Sequence, residues 1–205
     1  MDMRSYLSET QHACETLFPS IWNEWQAVEA LKGKISALTA ATAEGYRRAE
    51  AFREFEDPDD YMLGVGIHWD TYFGADKERY HAEAALPELE QQRDARAFAC
   101  SLMAGSVLQF AKHGLSLVHG GIQSCPNGRQ VHGVDLKSVI WQGRNQSMHW
   151  EEGQPRPPVV QCFEALKATD PVFGNYLTQN MAFEIVRLLG WREFADFEAD
   201  MISLA

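Results

Sequence analysis

Residues Arg144-Asn145-Gln146-Ser147-Met148-His149 put a guanidinium, a carboxamide and an imidazole into one hexapeptide. Arginine stays charged at any physiological pH and offers five donors in a flat fork, which suits a phosphate. Histidine exchanges a proton near neutrality, which suits general acid or base work. These groups are a minimum set for cutting RNA without a metal. On a helix, Asn145 and His149 are four residues apart and share a face. Arg144 is five residues from His149, roughly 140° around the axis and about 7.5 Å along it. Helical geometry alone does not bring that pair together. A second chain meeting the first across a twofold axis is the more natural way to complete such a site.

Other chemistry is sparse. His113 and His119 are six apart and His132 sits among turn residues, so no metal-ligand spacing emerges. His68 and Asp70 flank Trp69 without a third partner, and Gly64-x-Gly66 lacks the dinucleotide-binding glycine pattern. There is no nucleophile elbow and no P-loop. Cys14, Cys100, Cys125 and Cys162 are widely spaced and form no C-x-x-C pair, so they read as reduced, apolar side chains. No metal and no cofactor is expected.

The net charge of −11 argues against indiscriminate binding to nucleic acid. The charge is uneven, however. Residues 112–167 hold six Lys/Arg against four Asp/Glu, while both flanks are acidic. The hexapeptide therefore lies in the one segment that is not acidic. Six Trp and eleven Phe supply bulky core material for a chain of 205 residues, which predicts one domain. The uncharged, largely apolar stretch from Ala97 to Ala111 is too short to span a membrane. Met1-Asp-Met-Arg-Ser-Tyr lacks the basic-then-apolar pattern of a signal peptide, which predicts a cytoplasmic protein.

The elements that must carry the motif read as helices throughout, an all-α helical bundle with a long amphipathic N-terminal helix. Leu17, Phe18, Ile21, Trp22, Trp25, Val28, Leu31, Ile35 and Leu38 form one stripe at helical spacing, with Pro19 in its first turn. Residues 43–56 prolong that helix or form another, and Glu56-Asp-Pro-Asp-Asp breaks it. Residues 61–75 read as helix or irregular structure. Asp76 to Leu86 is a charged helix, and Pro87 opens a second one that runs to Val118 and is apolar nearly all round in its later half. Gly120 to Gly133 reads as a loop. Asp135 caps a helix through about Glu152 that bears the motif, and Gln154-Pro-Arg-Pro-Pro is a short stiff connector. Helices over Val159–Ala168, Val172–Leu189 and Trp191–Leu204 follow, with Gly190 as a helix stop.

Arg144-Asn145-x-x-x-His149, late in a helix of an all-α domain, resembles the signature of the HEPN superfamily. The resemblance implies a helical bundle over residues 76–205, with residues 1–75 as an N-terminal elaboration. It also implies a homodimer that joins two motifs, and metal-independent ribonuclease activity in toxin–antitoxin or phage-defence systems. Arg144 would hold the scissile phosphate, His149 would move the proton, and Asn145 would orient the phosphate or the imidazole. RNA would be the substrate, and an antitoxin or regulatory protein a possible partner. Gln142 and Gln146 flank the motif and could touch RNA. Trp141 and Trp150 suit stacking on bases less well than packing in the core or an interface. A different class of reading is a non-catalytic interaction module that uses Phe18, Trp22 and Trp25 as a docking stripe.

Overall fold

A computed structural model describes residues 1–51 and 76–205. The chain divides into two compact units, Met1–Trp25 with Phe98–Ala205, and Gln26–Ala97. The architecture is all-α: α1 (Met3–Ala51), α2 (Asp76–His119), α3 (Leu136–His149), α4 (Pro157–Lys167), α5 (Ala182–Leu189) and α6 (Phe194–Ser203), with 3-10 turns between several of them. No helix among the described residues is long and apolar enough to cross a membrane. The readings for 61–75 and for the break at 56–60 lie outside the described residues.

Helix α1 begins well before the expected stripe and runs through Gly45 without a break. Pro19 lies inside it instead of in its first turn. The carbonyl that loses its helical partner belongs to Glu15, which is exposed, so water can satisfy it. Met3, Tyr6, Leu7, Cys14, Phe18 and Ile21 are buried along one face. Phe18 meets the ring of Phe197 at 6.1 Å, and Trp22 and Trp25 meet Phe183 at 5.6 and 4.5 Å. The Trp22 indole also donates to the Trp191 carbonyl at 3.1 Å. The proposed docking stripe is therefore part of the protein's own core.

Pro87 lies within α2 and does not start it. Downstream, α2 buries Cys100, Ala104, Val107, Leu108, Ala111 and Leu115, yet leaves Phe98, Leu102 and Leu117 half exposed. A run apolar nearly all round is expected at the centre of the bundle, yet this one packs on one face. Tyr6 lies so close to α2 that a Cβ at Gly114 would sit 2.6 Å from its ring, and its hydroxyl donates to the Phe110 carbonyl at 2.8 Å.

Between α2 and α3 the expected loop contains a two-stranded antiparallel ladder, β1 (Gln130–Val131) and β2 (Val134–Asp135). His132 and Gly133 join them with φ of 48° and 80°. Two consecutive left-handed residues are the geometry a two-residue hairpin demands. Arg129, just before β1, is clamped to Asp200 by two hydrogen bonds of 2.8 and 2.7 Å. Asp200 also accepts from the indole of the fully buried Trp191 at 2.8 Å.

Helix α3 packs on α4 and α5. Its inward face comprises Leu136, Val139, Ile140, Gly143, Gln146 and Ser147. Gly143 permits the close approach of α5, since a Cβ there would meet two Ile185 side-chain carbons at 3.1 Å. Asp135 occupies the N-cap position, but its carboxylate accepts from the Gln130 amide and caps nothing. The expected helix over 172–189 is divided. A 3-10 turn spans Pro171–Leu177, and α5 starts only at Ala182. Gly190 ends α5 in the left-handed conformation, as its position predicts. The last helix starts at Phe194, where Glu193 and Asp196 form a capping box.

In the second unit Val28 and Leu89 are buried. Its surface carries side-chain pairs at helical or adjacent spacing, among them Lys32 with Glu29 and Arg93 with Asp94.

Candidate active site

The motif occupies the last turns of α3, and the chain changes course at its histidine. His149 has φ −137° and ψ 15°, after which a 3-10 turn runs over Trp150–Glu152 and Gly153 takes φ 65°. The motif helix is thus three residues shorter than expected. That change of course folds the connector back beside α3. A cavity of about 240 Å³ results, lined by Arg144, Asn145 and His149, with walls from Trp150, Glu152, Arg156, Val159 and Tyr176. One chain therefore brings all three expected residues to the wall of one cavity.

Arg144 is half-buried. Its Nε donates to Gln109 Oε1 at 2.6 Å, and its Nη1 to Asn145 Oδ1 at 3.4 Å. Asn145 in turn donates to Gln142 Oε1 at 3.2 Å. A line of neutral amides from α2 and α3 thus fixes the guanidinium. Among the described residues no carboxylate pairs with it, so its charge stays available and more of its five donors stay open. Asn145 also helps to orient the arginine, a contact its residue type alone did not indicate.

The imidazole is oriented by Glu152. His149 Nδ1 lies 2.7 Å from Glu152 Oε1, with both side chains more than half exposed. A carboxylate can only accept, so this contact places a proton on Nδ1. Nε2 makes no protein hydrogen bond among the described residues and is the nitrogen left for proton transfer. Glu152, three residues past the histidine, thus sets the tautomer.

Gln146 is buried and cannot meet RNA. Its amide donates to the carbonyls of Tyr176 and Gln179 at 2.8 and 2.7 Å and accepts from the Met181 N–H at 3.0 Å. It ties the motif helix to the segment that interrupts the expected helix over 172–189. Gln142 is buried too. Trp141 packs against the core with the Lys112 ammonium 4.8 Å over its ring, in keeping with a packing role. Trp150 is half-buried in the cavity wall. Tyr176 donates to Glu164 at 3.2 Å. Burial and then that carboxylate hold its phenol above the usual range.

His113 and His119 serve the fold. His113 Nδ1 is 3.4 Å from the Tyr6 hydroxyl, and His119 Nε2 is 2.6 Å from the Leu204 carbonyl. Sequence reading missed Gln109, Arg156 and Tyr176 as site residues. Gln109 did carry a faint signal, as a polar residue within the uncharged Ala97–Ala111 run.

Fold and site together define an all-α protein whose motif helix ends in a cavity lined by Arg144 on neutral amides, a second arginine, Arg156, and a carboxylate-oriented histidine. Comparison with family models, with curated proteins and with solved structures finds no match.

Proposed function

We propose that this chain is a metal-independent endoribonuclease of HEPN type. The observation that carries the reading is the electrostatic state of the cavity. Among the described residues Arg144 is held there by neutral amides alone, beside a histidine whose Nε2 is unengaged. A guanidinium neutralised by a carboxylate would serve structure; one held by amides can take an anion.

In the proposed reaction His149 removes the proton from a ribose 2′-hydroxyl, or donates one to the leaving 5′-oxygen. The 2′-oxygen bonds to phosphorus and the P–O5′ bond breaks. Arg144 holds the phosphate and stabilises the charge that builds on its oxygens. The products are a 2′,3′-cyclic phosphate and a 5′-hydroxyl. The reading includes a homodimer, in which a second copy supplies another such site and the complementary proton donor. The reading puts the protein in the cytoplasm, under the control of an antitoxin or another regulatory protein, and its four cysteines, all free and buried, suit a reducing compartment.

The test is cleavage of mixed tRNA and mRNA in EDTA by the parent, Arg144→Ala and His149→Ala, with identification of the termini. The expected result is cutting by the parent and a loss of at least about a hundredfold in each folded variant. A second reading, a non-catalytic helical interaction module, draws on Phe98 and Leu102, which lie one turn apart on α2 with 56% and 50% exposure. It takes precedence if the parent cuts nothing or the variants cut equally well.

A further inference from the structure

Arg156 enters the wall of the same cavity from the connector, with Pro155 before it and Pro157 after it. Its backbone sits at φ −67° and ψ 152°, the extended region to which a residue preceding proline is confined. The main chain that presents this side chain is therefore fixed in advance, and less order is lost when it takes a ligand. The side chain is exposed and makes no hydrogen bond or ion pair among the described residues. Its carbonyl starts α4 by accepting from Val159 at 2.9 Å. Pro157 and Pro158 have no N–H, so the first turn of α4 offers an anion little from its backbone. The guanidinium is the group left to bind one. The cavity thus holds two guanidiniums, Arg144 and Arg156, against the single carboxylate of Glu152. In a chain of net charge −11 that excess is local.

We propose that Arg156 binds the phosphate adjacent to the scissile one, so that the site takes a single strand with at least two consecutive phosphates. This rests on the ribonuclease reading and names its substrate class. One arginine on the scissile phosphate and a second on its neighbour fix the register of the strand, which a lone phosphate contact does not.

The experiment compares a dinucleoside monophosphate with the same molecule bearing one extra 5′- or 3′-phosphate, using the parent and Arg156→Gln. The expected result is a kcat/KM about five- to tenfold higher with the extra phosphate in the parent, mainly through KM. Arg156→Gln is expected to cut the two substrates equally. On a 2′-O-methylated strand, which cannot be cut, the slope of log affinity against log salt is expected to fall by about 0.7 in Arg156→Gln, one phosphate contact on a single strand. Melting of Arg156→Gln should match the parent, since the exposed side chain makes no hydrogen bond or ion pair among the described residues. If the parent cuts both substrates alike, or Arg156→Gln gains as much from the extra phosphate, the proposal is overturned and the ribonuclease reading stands. If the parent neither cuts RNA nor binds the methylated strand, both fall.

Discussion

Gln146 sits inside the motif but faces inward, and replacing it with methionine tests whether it holds the two halves of the site together. Methionine keeps the length of the side chain and removes its donors and its acceptor. Three backbone groups lose a partner: the carbonyls of Tyr176 and Gln179, at 2.8 and 2.7 Å, and the N–H of Met181, at 3.0 Å. Gln179 is exposed, so its carbonyl can turn to water. Tyr176 and Met181 are buried, and each stranded group there costs roughly 1–3 kcal/mol. Allowing for the apolar surface that methionine buries, the expected loss is about 2–4 kcal/mol. In a chain of this size that lowers Tm by about 5–15 °C. Calorimetry and urea melts would read it, with Gln161→Met, at an exposed position on α4, as a control that should stay within about 0.5 kcal/mol. A loss under about 1 kcal/mol in Gln146→Met, with an unchanged m-value, would refute the reasoning. The segment 178–181 would then be held by packing, and the amide would be incidental.

Two further perturbations bear on the rest of the first unit. Asp200→Ala strands the indole N–H of the fully buried Trp191, while Arg129, about half exposed, can turn to water; the expected loss is about 2–3 kcal/mol by urea melts, with Asp200→Asn recovering part of it. Raising the pH should also destabilise the fold, because burial pushes the Cys14 thiol up to about 11, those of Cys100 and Cys162 to about 12, and the Tyr6 phenol to about 12. The folded state then keeps protons that the unfolded chain releases, so this stability is intact below about pH 9 and drains away between there and about pH 12. Thermal melts from pH 8 to 12 would read the decline, and a flat Tm up to pH 11 would count against burial of these groups.

What could be read in the sequence and what could not divides along a physical line. Periodicity reports which face of a helix is apolar, and on that basis the stripe through Phe18, Ile21 and Trp22 was identified correctly as one helical face. It does not report what covers the face, so the same stripe was offered to an absent partner when Trp191, Phe183 and Phe197 already cover it. Proline signals misled for a related reason. A proline inside a helix costs less where the carbonyl it orphans can reach water, and at Pro19 that carbonyl belongs to an exposed residue. The hairpin at 130–135 was hidden because two-residue strands carry no alternating pattern; only His132-Gly133, at the left-handed turn, could have marked it.

The site shows the same limit more sharply. Residue types located Arg144, Asn145 and His149, and all three line one cavity. Their roles depended on partners far along the chain: Gln109 from α2 for the arginine, and Tyr176, Gln179 and Met181 for the glutamine between. Helical arithmetic placed Arg144 and His149 on different faces and so asked for a second chain. That arithmetic holds, since both residues lie within α3, but it leaves out the connector that walls the cavity both of them line. The chain leaves helical geometry at His149 itself, and a departure of one residue is enough to turn the connector, with Arg156, back onto the motif. A motif at a helix end is therefore better read with the residues that follow it, since they decide which groups share its cavity.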